Sequence, residues 1–348
     1  MKNRVLYFAL LFCVVFALVV SSASAQSART GTAAATELLI PVGGRDMAMG
    51  GSSLATTSGV EAMYWNPAGL GRMKTSAEGM FSSMTYLADI GVSYGAVAAT
   101  FGTFGTVGLS VKSLSFGDVP LTTNDDPENI GGRFFTPAYV TVGLSYARSL
   151  TDAVSFGGTL KIVSEQMDRA SASTFALDFG IQYAGLLGVR GVNFGLALKN
   201  IGPGMKYDGA GLYRNAISTD GYRASQKYKG EASTSELPSL IEMGLSYAGT
   251  ASDNMLWTVN GSFVSNNLYL DEYRLGGEVG MHLESVWLFG RAGTSLVPQA
   301  ETNSNIFGPS IGVGLTYAAS EIGIAVDYTY RQVDFFDSNN VFSIRLSF

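Results

Sequence analysis

The sequence predicts an all-β membrane protein: a 14-stranded antiparallel transmembrane β-barrel with a small N-terminal hatch. Three observations predict it. The chain is 47% hydrophobic and only 14% charged, with 43 glycines, yet after its first 25 residues no apolar run approaches the ~20 residues of a spanning helix. Apolar residues alternate with small or polar ones through one segment after another. The gaps between those segments are alternately short and long. Backbone groups inside lipid must be satisfied within the fold, and without helices only a closed barrel does this.

The first 25 residues read as a secretory signal. Lys2 and Arg4 precede an unbroken apolar run from Val5 to Val20, and Ala23-Ser24-Ala25 supplies small residues for cleavage before Gln26. Cys13, the only cysteine, lies inside that run, and Leu10-Leu11-Phe12 before it lacks the small residues of a lipidation signal. The mature chain is therefore expected to have no disulfide, no thiolate chemistry and no cysteine-held metal. Without Lys2 and Arg4, 20 cationic side chains face 28 acidic ones. That balance argues against nucleic acid as a partner, since such binding needs cations to neutralise phosphate.

Each strand of such a barrel shows ~10 residues of alternating character. Near the C-terminus Ile322, Ile324, Val326, Tyr328 and Tyr330 share one parity, and Gly323, Ala325, Asp327, Thr329 and Arg331 the other. Successive side chains face opposite sides of a strand, so the first set meets lipid and the second the lumen. The same pattern gives strands at Thr75–Tyr86, Ile90–Phe101, Thr106–Ser115, Pro137–Leu150, Ala153–Met167, Ser173–Leu187 and Arg190–Ile201. It continues at Ser239–Gly249, Met255–Ser265, Glu272–Leu283, Val286–Val297, Ile306–Tyr317, Glu321–Val333 and Asn340–Phe348. With both barrel ends in the periplasm, the long gaps (116–136 and 202–238) fall on the outer side and the short links on the inner side, as such barrels require. The last strand ends with Phe342, Ile344, Leu346 and Phe348 on one face, a pattern similar to the assembly signal of outer-membrane barrels, which implies contact with barrel-assembly machinery during biogenesis.

Residues 26–74 do not alternate and read as the hatch, ahead of a barrel at 75–348. A short helix is expected around Val60–Tyr64, stopped at Asn66-Pro67 because proline disfavours helix at the residue before it. A 14-stranded barrel encloses space that wall side chains alone do not fill. The run Gly44-Arg45, then Met49-Gly50-Gly51, then Asn66-Pro67-Ala68-Gly69-Leu70, placed just before the first strand, resembles the PorV/PorQ family of outer-membrane proteins, related to FadL and TodX. The motif covers about 30 residues; the rest of the likeness is architectural. The PorV side of the resemblance implies a non-enzymatic component of type IX secretion in Bacteroidetes-type bacteria. Such a component receives secreted proteins by their C-terminal sorting domains and works with secretion-machinery subunits. The FadL side implies transport of long-chain fatty acids or other hydrophobic compounds. Both place the protein in the outer membrane among its lipids, with no cofactor.

The residues bear on this choice. Lys112, Lys161, Asp178, Lys199, Glu242, Glu278, Asp327, Arg331 and Arg345 are all on lumen parity. Charges of both signs there point to a cross-linked polar interior or a polar channel, with most of them read as structural pairs because buried charges need partners. An apolar path would need an apolar lining, which Met47, Met49, Met63 and Trp65 offer only beside the hatch, where packing is the commoner role for such residues. The 202–238 loop carries Tyr207, Tyr213, Arg214, Tyr222, Arg223 and Tyr228, residue types favoured at interfaces, and is the candidate cargo-contact loop. Asn124-Asp125-Asp126-Pro127-Glu128 lacks the spacing of a calcium loop and reads as an acidic turn. The only histidine, His282, is on lumen parity, the wrong face for lipid chemistry. Gly308-Pro309-Ser310-Ile311-Gly312 matches a hydrolase elbow in letters only, since it opens a strand instead of joining a strand to a helix. No metal site and no catalytic residue is assigned.

Overall fold

The computed structural model describes residues 31–217, 224–298, 305–318 and 322–348. The signal segment at 1–25 and the loop residues Tyr222 and Arg223 lie outside the described residues.

Fourteen strands close into one antiparallel barrel. The first seven are β1 Ala77–Thr85, β2 Gly91–Thr100, β3 Thr106–Ser115, β4 Ala138–Ser149, β5 Val154–Met167, β6 Ala170–Ala184 and β7 Val192–Ile201. The rest are β8 Leu240–Ser252, β9 Met255–Asn266, β10 Glu272–Leu283, β11 Val286–Leu296, β12 Phe307–Ala318, β13 Gly323–Val333 and β14 Asn339–Ser347. Each pairs with its sequence neighbours, and β1 closes on β14 with Phe81 opposite Ile344 and Ser82 opposite Ser343. Closure leaves no strand edge in the lipid.

The alternation in the sequence becomes the two faces of the wall. Ile324, Val326 and Tyr330 are exposed on the outside of β13, while Ala325, Asp327 and Thr329 are buried inside it. All nine charged residues assigned to the lumen are buried or half-buried. Two residues of outer parity depart from the pattern. Asn200, on the parity of Leu196 and Leu198, has positive φ, is buried and donates to the Pro238 carbonyl. Tyr273 has outer parity but is buried, packed against its cross-strand neighbour Phe263 with ring centroids 5.1 Å apart.

The largest boundary difference is at β6, which starts and ends three residues earlier than the alternation suggests. Asp168 and Arg169 alone make the turn from β5, with Asp168 in a left-handed conformation, and Gly185 and Leu187 take positive φ beyond the strand's end. Each of the two long outer loops holds a short pair of strands among its described residues. Val119–Pro120 pairs with Phe134–Phe135, and Tyr213–Ala216 pairs with Gln226–Lys229. The acidic turn closes on itself, with the Asp126 carboxylate accepting from the amides of Ile130 and Gly131 at 2.7 and 3.0 Å.

The hatch runs through the lumen from the outer end to the periplasmic end. A 3₁₀ turn at Thr36–Leu39 sits beneath the outer loop. Helix α1, Gly44–Ala48, lies against β11 to β14. Helix α2, Ala62–Trp65, follows, and Asn66 ends it in an extended conformation. A 3₁₀ turn at Pro67–Arg72 then rests on β4, β5 and β6 before the chain enters β1. No helix among the described residues is long and apolar enough to cross a membrane.

Candidate functional site: the hatch, its seat and the outer mouth

The hatch presses its backbone onto the wall, and the sequence makes room for it with glycine. At the inward positions Gly157, Gly180, Gly195, Gly276 and Gly293, an added Cβ would overlap hatch atoms of Pro67, Asn66, Leu54 and Met49. The hatch returns the favour in its own motif. Gly50 and Gly51 both have positive φ, and a Cβ at either would crowd the Thr294 amide or the Trp65 ring. Such a conformation is nearly free only for glycine.

Asn66 is wholly buried and uses both ends of its amide. Its oxygen accepts from the Ala68 amide at 3.2 Å and caps the turn that Pro67 begins. Its nitrogen donates to the Leu54 carbonyl at 3.0 Å and to the Ile181 carbonyl of the wall at 3.2 Å. Ala68 and Leu70 are fully buried, and a Cβ on Gly69 would strike Thr57 and Ala62. The Asn-Pro-Ala-Gly-Leu run is thus one continuous seat. Gly44 is pinned through its amide to Ser343 (2.7 Å) and through its carbonyl to Thr329 (2.6 Å).

Arg45 joins the hatch to a ladder of charge across the lumen. Its guanidinium donates twice to Glu278 at 3.2 Å. Arg291 reaches the same Glu278 at 2.5 Å and Asp327 at 2.6 Å. Burial alone would lower the Arg45 pKa, but Glu278, Asp46 and Glu61 together hold it above the ordinary arginine range. Asp46 accepts from the hydroxyls of Ser53 and Thr57 at 2.6 and 2.7 Å, so the hatch also folds around its own carboxylate. On the other side Lys161 pairs with Asp178 at 2.5 Å and Lys199 with Glu242 at 3.5 Å. Lys112 and Lys199 lie over the Tyr64 ring, 5.0 and 4.6 Å from its centroid. The interior is cross-braced, as the charge pattern implies.

Met47, Met49, Met63 and Trp65 are almost wholly buried in packing and do not line a passage. A luminal cavity of about 250 Å³ at the periplasmic end is polar, lined by Arg72, Lys74, Glu78 and Arg345 among others. An apolar groove of about 460 Å³ lies on the lipid side of the wall, between Gly79, Val97, Leu109, Leu144 and Phe348.

The structure divides the candidate loop residues. Tyr213, Arg214 and Tyr228 stand exposed on the short hairpin, where Arg214 donates to the carbonyls of Gly211 and Tyr213. Tyr207 is half-buried instead, and its hydroxyl donates to Glu165 at the top of β5. It therefore belongs to the mouth of the barrel and not to the free surface, because a carboxylate buried there draws the hydroxyl inward. Phe342, Ile344, Leu346 and Phe348 all face outward, and Phe348 extends the pairing with β1 through Ser76 and Ala77.

His282 faces inward at the periplasmic end and stacks on Trp287, 4.7 Å between centroids. Ser310 is buried and donates to the carbonyl of Ala48, so its role is to hold α1. No group of acidic or histidine side chains suited to a metal occurs among the described residues. Reading the sequence misses Arg291, Glu165, Glu37, Glu61 and Asp46. Arg291 is legible by parity with Gly293 on β11. The hatch carboxylates carry no periodic signal that reveals them.

A closed 14-stranded barrel with an apolar outer wall and a luminal hatch is an integral protein of the bacterial outer membrane. The family model described as "Type IX secretion system protein PorV" matches residues 23–231, more than half of the chain, and the chain belongs to that family. Among solved structures it is similar to the CymD monoaromatic hydrocarbon channel, at 14% identity and a TM-score of 0.56, covering 89% of this chain and 98% of that one. It is also similar to the Ralstonia pickettii toluene transporter TbuX (14% identity, TM-score 0.56, 88% and 98% covered). The P. putida toluene transporter TodX is similar too (13% identity, TM-score 0.55, 88% and 97% covered). At such identities the likeness is one of fold. No curated protein matches the chain at a significant level.

Proposed function

We propose that this protein is a non-enzymatic outer-membrane component of type IX secretion that binds secreted proteins at its outer face. The observation that carries the reading is the occupied lumen. The hatch is set into glycine seats along the wall and tied by Arg45 to the Glu278–Arg291–Asp327 ladder. An uptake path for an apolar molecule needs apolar surface to receive it. Here a luminal cavity beside the hatch is polar, the apolar contact of the hatch with the wall is filled by packed side chains such as Met63, Trp65, Met80 and Met84, and an apolar groove lies on the lipid side. The residues left for work are on the outer loops, where Tyr213, Arg214 and Tyr228 present an exposed hairpin. Tyrosine and arginine are the residue types that anchor protein interfaces.

The alternative is uptake of hydrophobic compounds, the activity named for the similar hydrocarbon channel and toluene transporters. The braced lumen weighs against it.

The test is a comparison of surface and supernatant proteins between a clean deletion strain and its parent. Loss of a set of proteins that share a C-terminal sorting domain, with their build-up in the periplasm, is the expected result. An unchanged exported set would overturn the secretion role, and slower uptake of labelled hydrophobic compounds would then support the alternative.

A further inference from the structure

The hatch begins at the outer mouth, and what holds it there is the long outer loop. The Ala34 amide donates to the carbonyl of Glu236 at 2.9 Å. The Ala35 amide donates to one oxygen of Glu165 at 3.1 Å, and the Tyr207 hydroxyl donates to the other. Ala35 and Leu38 are packed into a small apolar cluster with Val163, Met205 and Leu237. Met205 and Ser235 exchange backbone hydrogen bonds, joining the two stems of the loop just above. Glu165 therefore holds the hatch with one oxygen and the loop with the other.

Glu37 stands beside it, 2% exposed, and neither of its carboxylate oxygens meets a donor among the described residues. The charged groups around the pair are committed elsewhere. The Lys112 ammonium is spent on the backbone carbonyls of Glu37 and Ile40 (2.6 and 3.1 Å). Lys161 is held by Asp178 and Asn200, and Lys199 by Glu242. The remaining titratable neighbours are the hydroxyls of Tyr139 and Tyr207. Two adjacent buried carboxyls cannot both be ionised at low cost where the nearest cation, Lys112, is turned to backbone carbonyls, so Glu37 keeps its proton. Burial first, and the Glu165 charge second, push Glu37 up to about 8.

We propose that Glu165 and the protonated Glu37 form a clasp between the hatch and the outer loop, so that lifting the loop or losing the Glu37 proton to water frees residues 31–40 from the mouth. The proposal goes beyond the secretion reading, and its test uses no secreted protein. An event on the outer face thereby reaches the lumen: a partner that draws Tyr207 away removes one of the two donors fixing Glu165. The sign for pH is set by the neutral form. The closed clasp holds the proton, so it is tight in mild acid and loosens as the medium becomes alkaline through the Glu37 value.

Cys13 is the chain's only cysteine and lies in the signal segment, so Thr36→Cys gives a single attachment point at an exposed position of the hatch start. A nitroxide placed there, in outer-membrane vesicles, reports mobility without depending on thiol ionisation. Between about pH 6 and about pH 9 the mobile fraction should rise severalfold in the otherwise unaltered protein. In Glu37→Gln, which mimics the neutral acid, it should stay low throughout. In Glu165→Ala it should be high at every pH, and in Tyr207→Phe raised already at the acid end. A label that stays immobile in a Glu165→Ala barrel with normal heat-modifiability would overturn the clasp. So would a pH response that persists in Glu37→Gln. Should Glu165→Ala not fold, Tyr207→Phe and Glu37→Gln carry the same two outcomes.

Discussion

Asn66 shows how much one side chain can hold in a membrane barrel. It serves three backbone groups, one of them on the wall, from a site with no access to water. Leaving a buried partner unmatched costs ~1–3 kcal/mol each. Asn66→Ala should therefore lower the yield of the heat-modifiable folded form and make cells more sensitive to large antibiotics. An unchanged gel shift together with unchanged sensitivity would count against a seating role. Arg291 is the corresponding residue for charge, since it bridges Glu278 and Asp327. Arg291→Met strands the buried Asp327 carboxylate and leaves Glu278 to Arg45, and breaking a buried pair in this way typically costs ~3–5 kcal/mol. A drop in the unfolding temperature larger than that of Arg169→Ala, whose ion pair is exposed, is the expected reading in detergent.

At the scale of elements, the contact between hatch and wall is made by the absence of side chains. Gly276 and Gly290 are neighbours in type and barrel position, yet differ completely in surroundings. A Cβ on Gly276 would overlap Met49 and Ser52, whereas one on Gly290 meets nothing. Gly276→Val should displace the hatch while the barrel still forms, seen as a normal heat-shifted band with new protease cleavage between residues 31 and 74. Gly290→Val should leave both unchanged. Equal behaviour of the two variants would refute the seating argument. The strands themselves were legible from the sequence because one wall face meets lipid and the other a polar core, which forces alternation on every strand. The hatch was legible only as a segment without alternation. Its irregular path is set by where Gly157, Gly180 and Gly195 open the wall, and that arrangement brings together residues far apart in the chain.

For the whole molecule, the braced interior makes stability depend on pH. Burial, outweighing the nearby Arg345 guanidinium, raises Glu61 of the hatch to about 7 from an ordinary 4.5. The folded state thus binds this proton more tightly than the unfolded state does. Its contribution is present in full below about 4.5 and is lost as pH rises through about 7. Thermal unfolding should therefore show stability falling over that interval, and Glu61→Gln should flatten this part of the profile. A profile identical in the two proteins would show that Glu61 does not carry it. A molecule built this way is suited to hold its lumen closed and to present its outer loops, which is the arrangement the proposed secretion role requires.

The barrel, its 14 strands and the charges that point inward can be read from the order of residues alone. Each of these follows from a local rule: period-two alternation or alternating loop lengths. The folded chain alone reveals that Tyr207 turns inward while Tyr213 and Tyr228 stay outside, that Arg291 is the hub of the charge ladder, and that Glu37 meets Glu165. Those are encounters between residues tens to hundreds of positions apart. Their energies come from burial and from the charges already present at the meeting place, and neither quantity exists until the barrel has closed.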